Sequence, residues 1–178
     1  MNASRPSRRA FTIVEAITVM SILAVIGSVV SSIVYTASRS YADGAFTAQL
    51  QGELSAAMAR AARELRYIPI DATSSAMVPK IDTVTASSIN WNSNSSLSLN
   101  SGRLELVLNG AAPEVLLQNV TSLSISAFDE SNTALGASLS GAQCYTIRRI
   151  QIQFTASRDG VTQTLRSRVF IRGLMSAS

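Results

Sequence analysis

One carboxylate and one row of guanidinium groups stand out as side chains that could do chemistry. The carboxylate is Glu15. Between Arg9 and Arg39 it is the only charged side chain, and an uncharged apolar run from Ala16 to Tyr35 follows it directly. A carboxylate held in hydrocarbon costs about 2.5–3.5 kcal/mol, so a plain anchor would carry Leu or Val there. Its presence points to a neutralising partner outside the chain. The guanidinium row is Arg166, Arg168 and Arg172, which share a strand face with Phe170, opposite Leu165, Ser167, Val169 and Ile171. Such a row could contact a polyanion.

Catalytic chemistry is poorly provided for. The chain has no His, which removes the commonest general base and metal ligand. Asp71, Asp82, Glu105, Glu114, Asp129, Glu130 and Asp159 are scattered. Asp129 and Glu130 with Asn132 could hold calcium loosely, but a carboxylate pair in a turn is usually only solvated. No Gly-rich phosphate loop and no nucleophile elbow occurs. The single cysteine, Cys144, has no internal disulfide partner and reads as a small buried residue. The residues therefore describe a protein that is not an enzyme, with no cofactor and no metal site. Formal net charge is +4, of which Arg5, Arg8 and Arg9 supply three. The rest of the chain is close to neutral and is not a general polyanion binder.

The element that carries Glu15 is membrane-sized. Ala16 to Tyr35 is twenty residues, roughly 30 Å of helix at ~1.5 Å per residue, enough to cross a bilayer core. Arg5, Arg8 and Arg9 precede the run without an acid, so the positive-inside rule predicts a cytoplasmic N-terminus and an extracytoplasmic remainder. A cleavable secretory signal has a shorter apolar core and a small-x-small site after it. Tyr35-Thr36-Ala37 is a poor site of that kind.

Basic leader, small residue, Phe11, Thr12, two aliphatics, Glu15 and then an apolar helix: this order resembles the type III signal of type IV pilins and pseudopilins. The resemblance covers residues 5 to about 35. It implies that a prepilin peptidase cuts between Ala10 and Phe11 and methylates the new amino terminus, and that Glu15 is the assembly residue. A freed amine on Phe11 supplies a positive charge with which a neighbouring subunit's Glu15 can pair, and two buried charges that meet cost far less than either alone. The family prefers Gly before the cut. Ala10 is the smallest alternative, which implies slower cleavage.

Beyond the membrane run, Phe46, Leu50, Leu54, Met58, Ala62 and Leu65 recur every three to four residues and form one stripe of an amphipathic helix. Pro69 predicts that this helix stops near Tyr67. Residues 71–101, rich in Ser, Thr and Asn, read as loop with at most short strands, and Trp91 reads as a plug on the domain surface. From Leu97 the period is two. Leu97 and Leu99, then Leu104, Leu106 and Leu108, flank Asn100-Ser101-Gly102 as a hairpin. Leu123, Ile125 and Ala127 share a strand face, and Asn119-Val120-Thr121 beside them matches a glycosylation triplet by chance. Residues 146–172 read as an antiparallel hairpin turning at Asp159-Gly160.

The predicted fold class is α+β, a long N-terminal helix packed on an antiparallel sheet. Residues 1–10 form a leader, 11–38 a transmembrane and assembly helix, 39–68 its amphipathic half, and 69–178 an extracytoplasmic β-rich domain. Leu117 to Leu123, Phe128-Asp129 and the Arg-rich strand ending Arg172-Gly173 are similar to minor pilins, nearest to the J-type minor pseudopilin of type II secretion and the W-type minor pilin. The resemblance implies a structural subunit that initiates or caps a filament. It would be stored in the inner membrane among lipid, with other pilin subunits, the prepilin peptidase and the assembly platform as partners. Two alternatives remain: a competence pilin that binds DNA through the C-terminal Arg-rich hairpin, and an anchored extracytoplasmic binding domain that never polymerises.

Overall fold

The computed structural model describes residues 12–71 and 77–174. Helix α1 runs from Ile13 to Arg66. Thr12 caps it: its Oγ1 accepts the Glu15 N–H at 3.3 Å and its carbonyl the Ala16 N–H at 3.1 Å. The helix passes through two compact units, one ending at Phe46 and one beginning at Thr47.

In the first unit α1 is long and apolar enough to cross a membrane. Ile13, Ile17, Met20, Leu23, Val25 and Ile33 all stand exposed. Its hydroxyls fold back on the helix. Thr18 donates to the Val14 carbonyl at 2.8 Å, Ser21 to Ile17 at 2.9 Å, Ser28 to Val25 at 2.8 Å and Ser32 to Val29 at 2.8 Å. Internal satisfaction of this kind is what a low-dielectric surround requires of a polar group.

In the second unit α1 buries one side. Leu50, Leu54, Ala57, Met58, Ala61 and Leu65 enter the core. The predicted stripe is right at Leu50, Leu54, Met58 and Leu65, but Phe46 and Ala62 are only half-buried and its axis runs through Ala57 and Ala61. The helix stops at Arg66, three residues before Pro69.

Eleven strands follow among the described residues: β1 (Ile70–Asp71), β2 (Val78–Pro79), β3 (Ile81–Val84), β4 (Ser88–Trp91), β5 (Ser95–Asn100), β6 (Arg103–Val107), β7 (Glu114–Gln118), β8 (Val120–Phe128), β9 (Leu139–Ser140), β10 (Arg149–Arg158) and β11 (Val161–Phe170). All pairings are antiparallel. A six-stranded sheet has the order β7-β6-β5-β4-β3-β9, a three-stranded sheet the order β11-β10-β8, and β1 pairs with β2. The chain changes sheets at Asn119, whose φ of 58° is left-handed. Its carbonyl accepts the Ser157 N–H at 3.0 Å, and the next N–H, of Val120, donates to Gly102 at 2.9 Å. One peptide group thus serves both sheets.

Both predicted hairpins form. Ser101-Gly102 closes β5–β6 with φ of 47° and 75°, and Asp159-Gly160 closes β10–β11 with 49° and 82°. These are the positive-φ pairs that match strand twist, and Gly takes the second position without a Cβ penalty. One core joins α1 to both sheets. The α+β class is therefore correct.

Residues 78–100 hold four short strands, and there Trp91 departs from expectation: it is buried in the core, not set on the surface. Ile89 and Trp91 point inward while Asn90 and Asn92 alternate with them, a two-residue period too short to stand out among Ser and Asn. Cys144 is buried as expected. Burial, and secondarily Asp82, raises its thiol pKa.

Candidate functional site

Two features outside the core carry unsatisfied chemistry. The first is Glu15 in the opening turn of α1, exposed among exposed aliphatic side chains. Among the described residues no cation lies within ion-pair distance of it. Thr18, Ser21, Ser28 and Ser32 bond to the helix backbone, whereas among the described residues the Glu15 carboxylate makes no hydrogen bond or ion pair. The expected processing residues, Ala10 and Phe11, lie outside the described residues.

The second feature is the outer face of the three-stranded sheet. Register places Gln153 between Ser124 and Arg166, Gln151 between Ser126 and Arg168, and Arg149 between Phe128 and Phe170. The face is thus made of Ser, Gln, Arg and two aromatic rings. Arg168 stacks over Phe128 at 4.1 Å and Arg149 over Phe170 at 4.5 Å, each worth roughly 0.5–1 kcal/mol at an exposed site. Arg168 donates to Gln151 Oε1 at 2.8 Å and to Asn132 Oδ1 at 2.9 Å, and Arg149 reaches the same Asn132 oxygen at 3.2 Å. Those bonds hold the guanidinium groups in place without neutralising them. They also use the Asn132 oxygen that a calcium reading of this turn would need, and Asp129 Oδ1 accepts the Thr133 N–H at 2.7 Å.

The structure sorts the predicted Arg row. Arg166 is exposed and makes no hydrogen bond or ion pair among the described residues. Arg168 is fixed by the contacts above. Arg172 leaves the strand, donates to the Tyr67 hydroxyl at 3.0 Å and lies 5.7 Å from that ring. Together with Arg66, Tyr67 and Phe170, Arg168 and Arg172 line a cleft of about 390 Å³. Arg66 and Tyr67 were not legible as site residues, because they sit at a helix end more than a hundred positions from Arg172. Arg149 joined the face only through strand register.

Arg158 belongs elsewhere. It forms a two-point ion pair with Glu53, Nη2–Oε2 at 3.0 Å and Nη1–Oε1 at 3.3 Å, which fastens the tip of the β10–β11 hairpin to α1. The Gln49 amide, and then Arg158, hold the Glu53 carboxyl below the ordinary carboxylate range. The fold therefore favours the charged form. Its contribution is present above the unfolded Glu pKa of about 4.3 and is lost as pH falls further. Because both partners are partly exposed, the pair is worth at most about 1 kcal/mol. Thermal unfolding followed between about pH 3 and 6 is expected to fall less steeply with acid in Glu53→Gln than in the parent. Coincident slopes would assign the pair no role.

Compared with protein families and with curated proteins, the chain matches none.

Proposed function

We propose that this protein is a minor pilin or pseudopilin, a structural subunit that initiates or caps a filament of the type IV pilus or type II secretion kind. The observation that carries the proposal is the lone carboxylate of Glu15. It follows a basic leader and the Ala10-Phe11 step, and it opens a helix whose apolar stretch offers it no partner. In this reading residues 1–10 face the cytoplasm, prepilin peptidase removes them, and the subunit waits in the inner membrane with its β-rich part outside. Assembly then packs apolar helices side by side, and Glu15 pairs with the freed amine of a neighbouring subunit. The charge pair fixes register, since a subunit shifted along the bundle would bury both charges unpaired. The reading assigns the protein no catalysis.

Intact mass and N-terminal sequencing, with and without a co-expressed prepilin peptidase, test the first step. The expected product begins at Phe11 and is heavier by one methylene unit. A chain still beginning at Met1 in the presence of its own peptidase would remove the proposal, and a cut after Ala37 would replace it with a secretory signal.

A further inference from the structure

Strand β11 is the edge of its sheet over ten residues. In a hairpin closed by two residues the flanking pair, Arg158 and Val161, exchanges both backbone bonds, and every second pair repeats this. The odd-numbered residues of β11 therefore bond to β10, and the Ile171 N–H bond to the Arg148 carbonyl at 3.3 Å continues the same parity. The backbone groups of Thr162, Thr164, Arg166, Arg168 and Phe170 face away from β10, along an edge that pairs with no strand among the described residues. The opposite edge of the sheet is covered. Ile125 N–H donates to Ala86 at 2.9 Å, Leu135 N–H to Ala127 at 2.9 Å, and Phe128 bridges to Ala134.

The open edge also has a sign. Arg166 stands exposed on it, Arg168 leans back across β10 onto Phe128, and the cleft at its end is lined by Arg66, Arg168 and Arg172 with no acid among the described residues. Tyr67 and Phe170 in that cleft stay 58% and 44% exposed, a large apolar area for a strand end. We propose that the β11 edge and its terminal cleft dock an extended acidic segment of a partner protein, added as a further strand, with one apolar side chain seated on Tyr67 and Phe170. The inference goes beyond the filament reading and holds whatever the N-terminal helix does.

Three considerations choose this occupant. An edge alternates N–H donors with carbonyl acceptors, and a peptide strand satisfies both. A phosphate backbone only accepts, so nucleic acid would leave the carbonyls unpaired. A second copy joined edge to edge would set like charges at cross-strand distance in the registers that place Arg166 or Arg168 opposite one another, which is destabilising. The arginines thus disfavour those self-paired registers while selecting an acidic strand. The stacking of Arg168 on Phe128 pre-orders one of them before the partner arrives, which lowers the ordering cost.

The test uses the full chain in detergent and a labelled eight-residue peptide of alternating Thr and Glu with one central Leu. Saturable binding is expected in fluorescence anisotropy. Thr164→Pro removes an outward N–H and the hydroxyl bond to Thr155 while leaving the backbone bonds to β10, and is expected to weaken binding about tenfold or more. Arg166→Glu, at a side chain without internal partners, is expected to weaken it similarly with unchanged melting. No peptide binding, or equal binding by a Thr164→Pro variant that melts like the parent, would overturn the proposal. Tight binding of DNA instead of the peptide, indifferent to Thr164→Pro, would also overturn it and make the face a phosphate surface. If Thr164→Pro does not fold, Arg166→Glu decides: undiminished peptide binding by that variant rejects the acidic partner.

Discussion

Replacing Glu15 by Leu is expected to leave the protein at normal abundance in the membrane and to remove it from filaments. The substitution eliminates an insertion cost of about 2.5–3.5 kcal/mol, so membrane partition should hold or improve. Assembly should suffer for the opposite reason. In a bundle of helices the neighbour's amine would then be buried without a counter-charge, and an orphaned buried charge costs about 3–5 kcal/mol. That corresponds to a loss of incorporation of roughly two to four orders of magnitude, by the rule of about 1.4 kcal/mol per tenfold. The quantity to measure is the ratio of the subunit in sheared filaments to that in membranes. Glu15→Gln, which keeps the size but not the charge, should fall with the Leu variant. An unchanged ratio for Glu15→Leu would reject the assembly role and favour an anchored domain that never polymerises.

The largest effect on stability is expected at Phe154. Its side chain is completely buried, and it sits mid-strand on β10 between Leu165 on β11 and Leu123 on β8. Truncation to Ala would leave a cavity in the one core that the helix and both sheets share. The expected loss is about 3–5 kcal/mol, a large part of the roughly 5–15 kcal/mol typical of a whole domain. Thr155, the next residue, faces outward and exchanges a 2.8 Å hydroxyl bond with Thr164. Thr155→Ala is expected to cost about 1 kcal/mol or less. Denaturant unfolding of the two variants should separate them clearly. Equal losses would mean that β10 does not bury the face assigned to it.

Much of this arrangement is legible in the order of the residues. The apolar run, the stripe from Leu50 to Leu65, the stop before Pro69, and the two hairpins at Ser101-Gly102 and Asp159-Gly160 all appear where the residues placed them. Periodicity and turn chemistry depend on neighbours within a few positions, so they can be read along the chain. The lone Glu15 is likewise visible in sequence, because its oddity lies in what surrounds it there.

Other features depend on the tertiary structure. Strands of two to four residues between Val78 and Trp91 carry too few alternations to announce themselves, and their stability comes from sheet partners: β9, far along the chain, pairs with Thr83 and Val84. The fate of each arginine is equally hidden in the sequence. Arg158 is tied to Glu53, and Arg172 to Tyr67, each across 105 positions, while Arg166 stays free of partners on the open edge among the described residues. Sequence determined the long helix, its apolar stripe and the two hairpins, since these follow from local spacing. Only the folded chain decided which charged groups neutralise one another and which edge remains open, since those depend on contacts between segments that meet only when the core closes.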